Sequence, residues 1–499
     1  MRIGTSMKHR PIVIGAGIGG LCAALDLAVR GYRPIVLEKE SAIGGKMVPL
    51  QIADAEIDGG PTVLTMTWVF EELFARAGVQ LSDFVTLTPA KRLARHFWQD
   101  GSRLDLFADL EASRAAIEEF AGHREADGFI RYHRYAQKIF ENVNDVFIRA
   151  PKPTPFGVMR TMGMRAIPQL LSIDSQRTMW RALGDFFKDE RLKQLFGRYA
   201  TYSGNNPFAT PATFNLIAHV EQDGVWRIQG GMSALANAIG SLIETHGGEI
   251  RTNTNVRRLI QTRRSISGVE LGDGTTLNSP VVVFNGDVDA LGQGLLGLKG
   301  RTGIKPLSPN NRSLSAVTLC CVADVGQAPL IHHNVFFSRD YEAEFRHIDK
   351  EGRLPDEPTI YICAQDRGDE DTPRDADRLL VLINAPGRAD VRGINARELK
   401  LCVTEARGQL ERMGLSLDIR GQVIRGPNEW NRLFPGSGGA IYGAASKKWN
   451  ATLKRHGATT KLKGLYLTGG SIHPGAGVPM AALSGRTAAA QVEVDFPNG

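Results

Sequence analysis

Cysteine is scarce in this chain, and the five that occur, Cys22, Cys320, Cys321, Cys363 and Cys402, include no C-x-x-C pair and no metal-ligand spacing. That excludes a disulfide framework and points to a reducing compartment. The eleven histidines never fall at H-x-x-x-H spacing. The adjacent pair His332 and His333 lies in an apolar context that reads as packing, so no metal is expected. No Lys/Arg block with interleaved aromatics is present and the net charge is only +7, which argues against a nucleic-acid partner. No transmembrane span is evident. Hydrophobic residues at 42% are ordinary for a globular protein, and 499 residues exceed one core, so two or three domains are expected.

What the chain does have begins at its N-terminus, in "VIGAGIGGLCAALDLAVRGYRPIVLEKESAIGGK". Lys8, His9 and Arg10 followed by an apolar run resemble a signal peptide or anchor, but the glycines gather at the front, Asp26 interrupts the run and no cleavage site follows. The alternative is a βαβ unit. Pro11 to Ile14 reads as a buried strand, Gly15, Gly17 and Gly20 form G-x-G-x-x-G with Gly19 inside it, Leu21 to Val29 is a helix stopped by Gly31, and Pro34 to Leu37 is a second strand. Glu38 stands 23 positions beyond Gly15, close to the roughly 20 expected of a ribose-binding acid. Glycines let a pyrophosphate reach backbone N–H groups at the positive end of a helix, and an acid at this place repels a 2′-phosphate. The unit is a dinucleotide site that disfavours NADP.

Later segments return to the same sheet. "IDGGPTVLT" places two glycines and a proline after a strand, suited to backbone approaching a flat ligand. A helix is expected from Ser233 to Thr245, a strand from Glu249 to near Val256, a strand over Val281 to Phe284, and in "GLYLTGGSIHPGAGVPMAALSGR" a last strand, a loop and a helix starting near Pro479. The fold class is α/β: a discontinuous Rossmann-like dinucleotide-binding domain over 1–75, 220–300 and 440–499, with 76–219 and 301–439 forming an α+β substrate domain.

Together "AIGGKM", "DGGPTVLT" and "LYLTGGSIHPGAGVP" resemble the bacterial phytoene-desaturase type of flavin-dependent carotenoid desaturase, within the amine-oxidase-like flavoproteins. "GPTVLTMTWVFEELF" and "GGSIHPGAGVPMAALSGR" are most similar to the hydroxycarotenoid 3,4-desaturases, also called methoxyneurosporene dehydrogenases. The resemblance implies FAD on Gly15, Gly17, Gly19 and Gly20, its adenosine ribose on Glu38 beside Lys39, and the flavin side of the diphosphate on Gly45 and Lys46, where family members often have Arg. It implies Val256 at the adenine, Gly60, Pro61 and Thr62 near the flavin, and Gly469, Gly470, Val478, Pro479 and Met480 against ribityl and isoalloxazine. Without a cysteine in "TGGSIHPG" the FAD is expected to be non-covalent, and without a second G-x-G-x-x-G no bound NAD is expected. "FPGSGGAIYG", Phe434 to Gly443, is expected to cap the flavin.

The implied chemistry is removal of two hydrogens from a carotenoid, with oxygen or a quinone taking the electrons. His473 is the candidate to take the proton or, like Ser471, to orient a terminal hydroxyl; it equally suits ordering its own loop. Asp145 with Arg149 is a second base-and-partner candidate, against an exposed ion pair. Trp68, Phe70, Phe147, Phe156, Tyr202, Phe208 and Trp226 are candidate tunnel aromatics, against plain core. Between Arg149 and Arg181 lie six cations and one acid, Asp174, interleaved with Met, Leu, Ile and aromatic residues. This composition suits an anionic bilayer surface, hence a cytoplasmic protein held peripherally at the inner membrane. Open alternatives are a phytoene desaturase, a carotenoid isomerase, another flavin oxidase of an apolar substrate such as a porphyrinogen, and a prenyl-lipid chaperone, the last disfavoured by the intact glycines and Glu38.

Overall fold

A computed structural model describes residues 10–152, 172–370, 374–447 and 451–498. The N-terminal unit forms as its pattern requires: β1 (Ile12–Ile14), α1 (Ile18–Val29) and β2 (Ile35–Leu37). Strand Glu249–Arg251 joins β2 on one side, and strands Val282–Phe284 and Leu465–Leu467 extend the other, giving a five-stranded sheet whose pairings are all parallel. Such strands are covered on both faces and are therefore apolar throughout rather than alternating. α1 is buried along nearly its whole length because it lies on that sheet and also touches helices Met232–Thr245 and Val478–Asp495. Its Gly and Ala residues permit that crowding. A Cβ on Gly20 would overlap the Gly15 carbonyl oxygen, and one on Gly485 would overlap the Gly19 carbonyl oxygen.

The expected strand running from Glu249 to Val256 is interrupted. It ends at Arg251, and Val256 instead opens strand Val256–Thr262 of a separate three-stranded antiparallel sheet. The reason is a local bend. Asn253 takes a φ of 50°, its N–H donates to the Glu40 carbonyl at 2.9 Å, and the Thr254 N–H donates to the Glu38 carbonyl at 2.7 Å. Asparagine tolerates this left-handed conformation better than most residues.

A seven-stranded sheet orders Asp418–Arg425, Ser315–Asp324, Asp377–Ala385, Ile360–Ala364, His333–Phe336, Arg92–Phe97 and Arg103–Phe107. Cys320 and Cys321, adjacent on one of its strands, point into different core clusters. Helices His123–Val143, Glu190–Gly197 and Leu216–Asp223 pack beside the sheet over an aromatic core of Phe129, Tyr132, Phe187, Phe196 and Tyr199. Among the described residues no helix is long and apolar enough to cross a membrane.

Candidate functional site

One cavity of about 1280 Å³ reaches both the glycine turn after β1 and the face of the seven-stranded sheet. Its walls include Gly15, Gly17, Gly19, Glu38, Lys39, Gly45, Lys46, Gly60, Pro61, Thr62, Val256, Gly469, Gly470, Val478, Pro479 and Met480. The expected dinucleotide residues, from five separate stretches of chain, thus meet on one surface. Gly20 is the exception: it lies under the turn, where its missing side chain lets α1 close on Gly15. Gly15 takes a φ of 92°, which a side chain would strain.

The Glu38 carboxylate is buried and already oriented, with Oε2 accepting the Ala16 N–H at 2.7 Å and Oε1 accepting the Glu40 N–H at 3.0 Å. Lys46 and Arg455 face the cavity without a carboxylate in ion-pair range among the described residues. Lys46 donates to the Ile441 carbonyl at 2.5 Å and lies 4.9 Å from the Phe434 ring centroid. Arg455 donates to the carbonyls of Gly470 at 3.1 Å and Ala444 at 2.7 Å. Burial lowers the Lys46 pKa to about 8 and that of Arg455 to about 10. Asp287, whose carboxyl is pushed up by burial, is the acid whose charge reaches both. Two desolvated cations beside open backbone N–H groups fit a dianionic diphosphate, and Glu38 fits a ribose diol. The Phe434 to Gly443 loop supplies Phe434, Pro435, Ile441, Tyr442 and Gly443 to the wall, as expected of a cap.

The catalytic and tunnel expectations need correction. His473 is buried away from the cavity wall: its backbone N–H donates to the His456 carbonyl at 2.8 Å, and Nε2 donates to the Ala150 carbonyl at 3.0 Å. It orders its loop. Ser471 does line the cavity, but its Oγ accepts the Val288 N–H at 3.0 Å. Asp145 and Arg149 do not pair; Arg149 binds Glu72 at 2.9 Å and stacks 3.5 Å from the Trp68 ring centroid. Trp68 is thereby occupied outside the cavity. Trp226 is held in a two-stranded ladder with Pro89, Phe208 packs on Trp180 at 4.5 Å between centroids, and Phe70 is fully buried core. Tyr202 and Phe147 do line the cavity. Phe156 and most of the basic segment, 153–171, lie outside the described residues.

Sequence reading missed a polar group on the cavity wall. Arg198 Nη1 donates to the Tyr202 hydroxyl at 3.0 Å, Tyr202 donates to Glu221 Oε1 at 2.6 Å, and Tyr199 donates to Glu221 Oε2. The four-residue spacing of Arg198 and Tyr202 was visible; their meeting with Glu221 on another helix was not. Tyr361 is a second omission, its hydroxyl 2.7 Å from Thr62 Oγ1 and 2.8 Å from His333 Nδ1. His332, His333 and Cys363 converge within 4.8 Å. His332 Nδ1 donates to the Arg367 carbonyl at 3.0 Å.

Residues 18–493 match the model of the flavin containing amine oxidoreductase family. The chain is 43% identical over 485 residues to a hydroxyneurosporene desaturase from Rubrivivax gelatinosus, covering 96% of this chain and 92% of the relative. It is 40% identical to a hydroxyneurosporene desaturase from Cereibacter sphaeroides, covering 97% of each. Among solved structures, cyclohexylamine oxidase from Brevibacterium oxydans superposes with a TM-score of 0.58 at 13% identity, over 98% of this chain and 99% of that one.

Proposed function

The chain belongs to the flavin containing amine oxidoreductase family, and from that premise we propose that it is an FAD-dependent carotenoid desaturase acting at the 3,4 bond of a 1-hydroxy or 1-methoxy carotenoid. The observation that carries this reading is the single cavity in which the dinucleotide residues and an apolar chamber meet. Phe147, Ile148, Phe214, Ile217, Val220 and Leu382 line that chamber, offering a polyene contact without water. The relatives named hydroxyneurosporene desaturase support the choice of substrate.

FAD, when bound, supplies the hydride acceptor, and oxygen or a quinone takes the electrons onward. The protein's part is to hold and exclude. The glycine turn, Glu38, Lys46 and Arg455 fix the dinucleotide, while Thr62, Gly470 and the start of helix Val478–Asp495 form the wall where the two ligands meet. The substrate would give up a hydride from one carbon to the flavin and a proton from its neighbour to solvent or a weak base. Conjugation of the developing cation with the polyene acidifies that proton, so a strong base is not required. No histidine or cysteine among the described residues lines the cavity, which supports non-covalent FAD. We place the enzyme on the cytoplasmic face of an anionic membrane, since its substrate resides in lipid.

Anaerobic titration tests the reading. The FAD-loaded protein should be bleached by a 1-hydroxy carotenoid in liposomes, and denaturation should release free FAD. A flavin that stays oxidised under excess carotenoid would defeat it.

A further inference from the structure

We infer that Arg198 is the receptor for the oxygen at the end of the carotenoid, binding it on the two guanidinium nitrogens that have no partner among the described residues. This rests on the desaturase reading above and adds the residue that sets its choice of substrate.

Arg198 lines the cavity yet is only 4% exposed. One of its nitrogens, Nη1, is held by the Tyr202 hydroxyl at 3.0 Å. Nε and Nη2 are buried and have no partner among the described residues. A buried donor without an acceptor is unfavourable, and native proteins rarely leave two on one side chain. The arrangement is built rather than accidental. Glu221 is itself buried and has both oxygens occupied by phenols, Tyr202 at 2.6 Å and Tyr199, so the carboxylate reaches the guanidinium only through Tyr202. The guanidinium carbon also lies 5.2 Å from the Tyr199 ring centroid and 5.0 Å from that of Tyr202. Phenols on one side fix Arg198, and Nε and Nη2 remain without a partner among the described residues.

The ligand chemistry follows from the donor set. Guanidinium donates only, so the group received must accept. Glu221 already balances the charge, so a neutral oxygen suffices. A tertiary alcohol and its methyl ether both accept hydrogen bonds, and a subsite that demands no donor from its ligand treats them alike. A hydrocarbon end leaves Nε and Nη2 unpaired, and discrimination against it is expected at roughly 10- to 100-fold.

The test uses FAD-loaded enzyme in liposomes with a 1-hydroxy carotenoid, its methyl ether and the hydrocarbon of the same polyene length. Two quantities are measured: kcat/KM, and Kd on the dithionite-reduced enzyme, which cannot turn over. Wild type should favour alcohol and ether equally over hydrocarbon. Arg198→Met should bring all three within about 3-fold of one another by raising KM and Kd for the oxygenated pair, with FAD content retained, and Arg198→Lys should restore part of the preference. Should Arg198→Met lose its FAD, Tyr202→Phe, which frees the Arg198 anchor and removes one donor to Glu221, should still lower the preference at normal FAD content. A preference that survives these variants, or a wild type that desaturates all three equally, overturns the role of Arg198 and leaves the desaturase reading intact. Failure of the FAD-loaded wild type to desaturate any of them defeats the desaturase reading instead.

Discussion

The Ala16 N–H donates to Glu38 Oε2 across 2.7 Å, so the residue expected to hold the ribose also ties the glycine turn to the end of β2. Substitution therefore acts twice. Glu38→Ala strands the buried Ala16 N–H and removes the ribose acceptor, and Glu38→Arg adds a misplaced cation as well. With about 1–3 kcal/mol for each stranded group, FAD affinity should fall by at least ~10-fold in either variant, measured by quenching of flavin fluorescence. Unchanged affinity would remove Glu38 from the site.

If Lys46 meets the diphosphate as proposed, cofactor binding should depend on pH. Its buried ammonium has a pKa of about 8, below the ordinary 10.5, and a diphosphate beside it favours the charged form. FAD binding then takes up a proton wherever the free protein has already lost one, so affinity is level below about pH 8 and falls above it. Folding of the FAD-free protein has the opposite sign: between about 8 and 10.5 the unfolded chain holds more protons, so its stability rises with pH there. Lys46→Arg should keep affinity level to higher pH, and Lys46→Met should bind weakly without a break near pH 8. Calorimetric titration from pH 7 to 10 checks both; a wild-type affinity that is level throughout contradicts the assignment.

Deep in the seven-stranded sheet's domain, Arg367 and Asp377 form a bidentate pair at 2.9 and 2.8 Å with both side chains fully buried. Asp377→Ala leaves a buried cation and should cost about 3–5 kcal/mol, while replacing both residues by apolar ones of similar volume should recover most of that loss. Urea unfolding of the three proteins checks this, and Asp377→Ala folding as stably as wild type would refute it.

Membrane attachment is tested with vesicles. Arg177 is engaged with Asp174 at 2.6 Å and Asp185 at 2.5 Å, so it is a poor choice for lipid contact. Arg181 is exposed, and with Arg160 and Arg165 makes the informative set. Anionic liposomes should sediment the protein at low salt, and Glu at these three positions should release it. Equal sedimentation of the triple variant would exclude this segment as the anchor.

The half of the site expected to hold a dinucleotide was legible in the sequence because its signals are local: β1, the glycines, α1 and Glu38 lie in one βαβ stretch, and Gly469 to Met480 in one loop and the first turn of the helix that follows it. The substrate half was not. Whether an aromatic faces the cavity depends on which surfaces distant segments bring together, so Tyr202 faces it while Trp68, Phe208 and Trp226 pack elsewhere. His473 failed for a related reason, its ring being claimed by the Ala150 carbonyl from a remote segment. Val256, expected at the adenine, lines the cavity but opens a different strand from the one expected, because the bend at Asn253 is set by the carbonyls of Glu38 and Glu40.

Product mass tests the central proposal most directly. Incubating the FAD-loaded protein in liposomes with a 1-hydroxy carotenoid, and separately with phytoene, should convert the hydroxycarotenoid faster to a product lighter by two hydrogens and absorbing at longer wavelength. Faster conversion of phytoene would contradict the substrate assignment, and a product of unchanged mass would contradict desaturation itself.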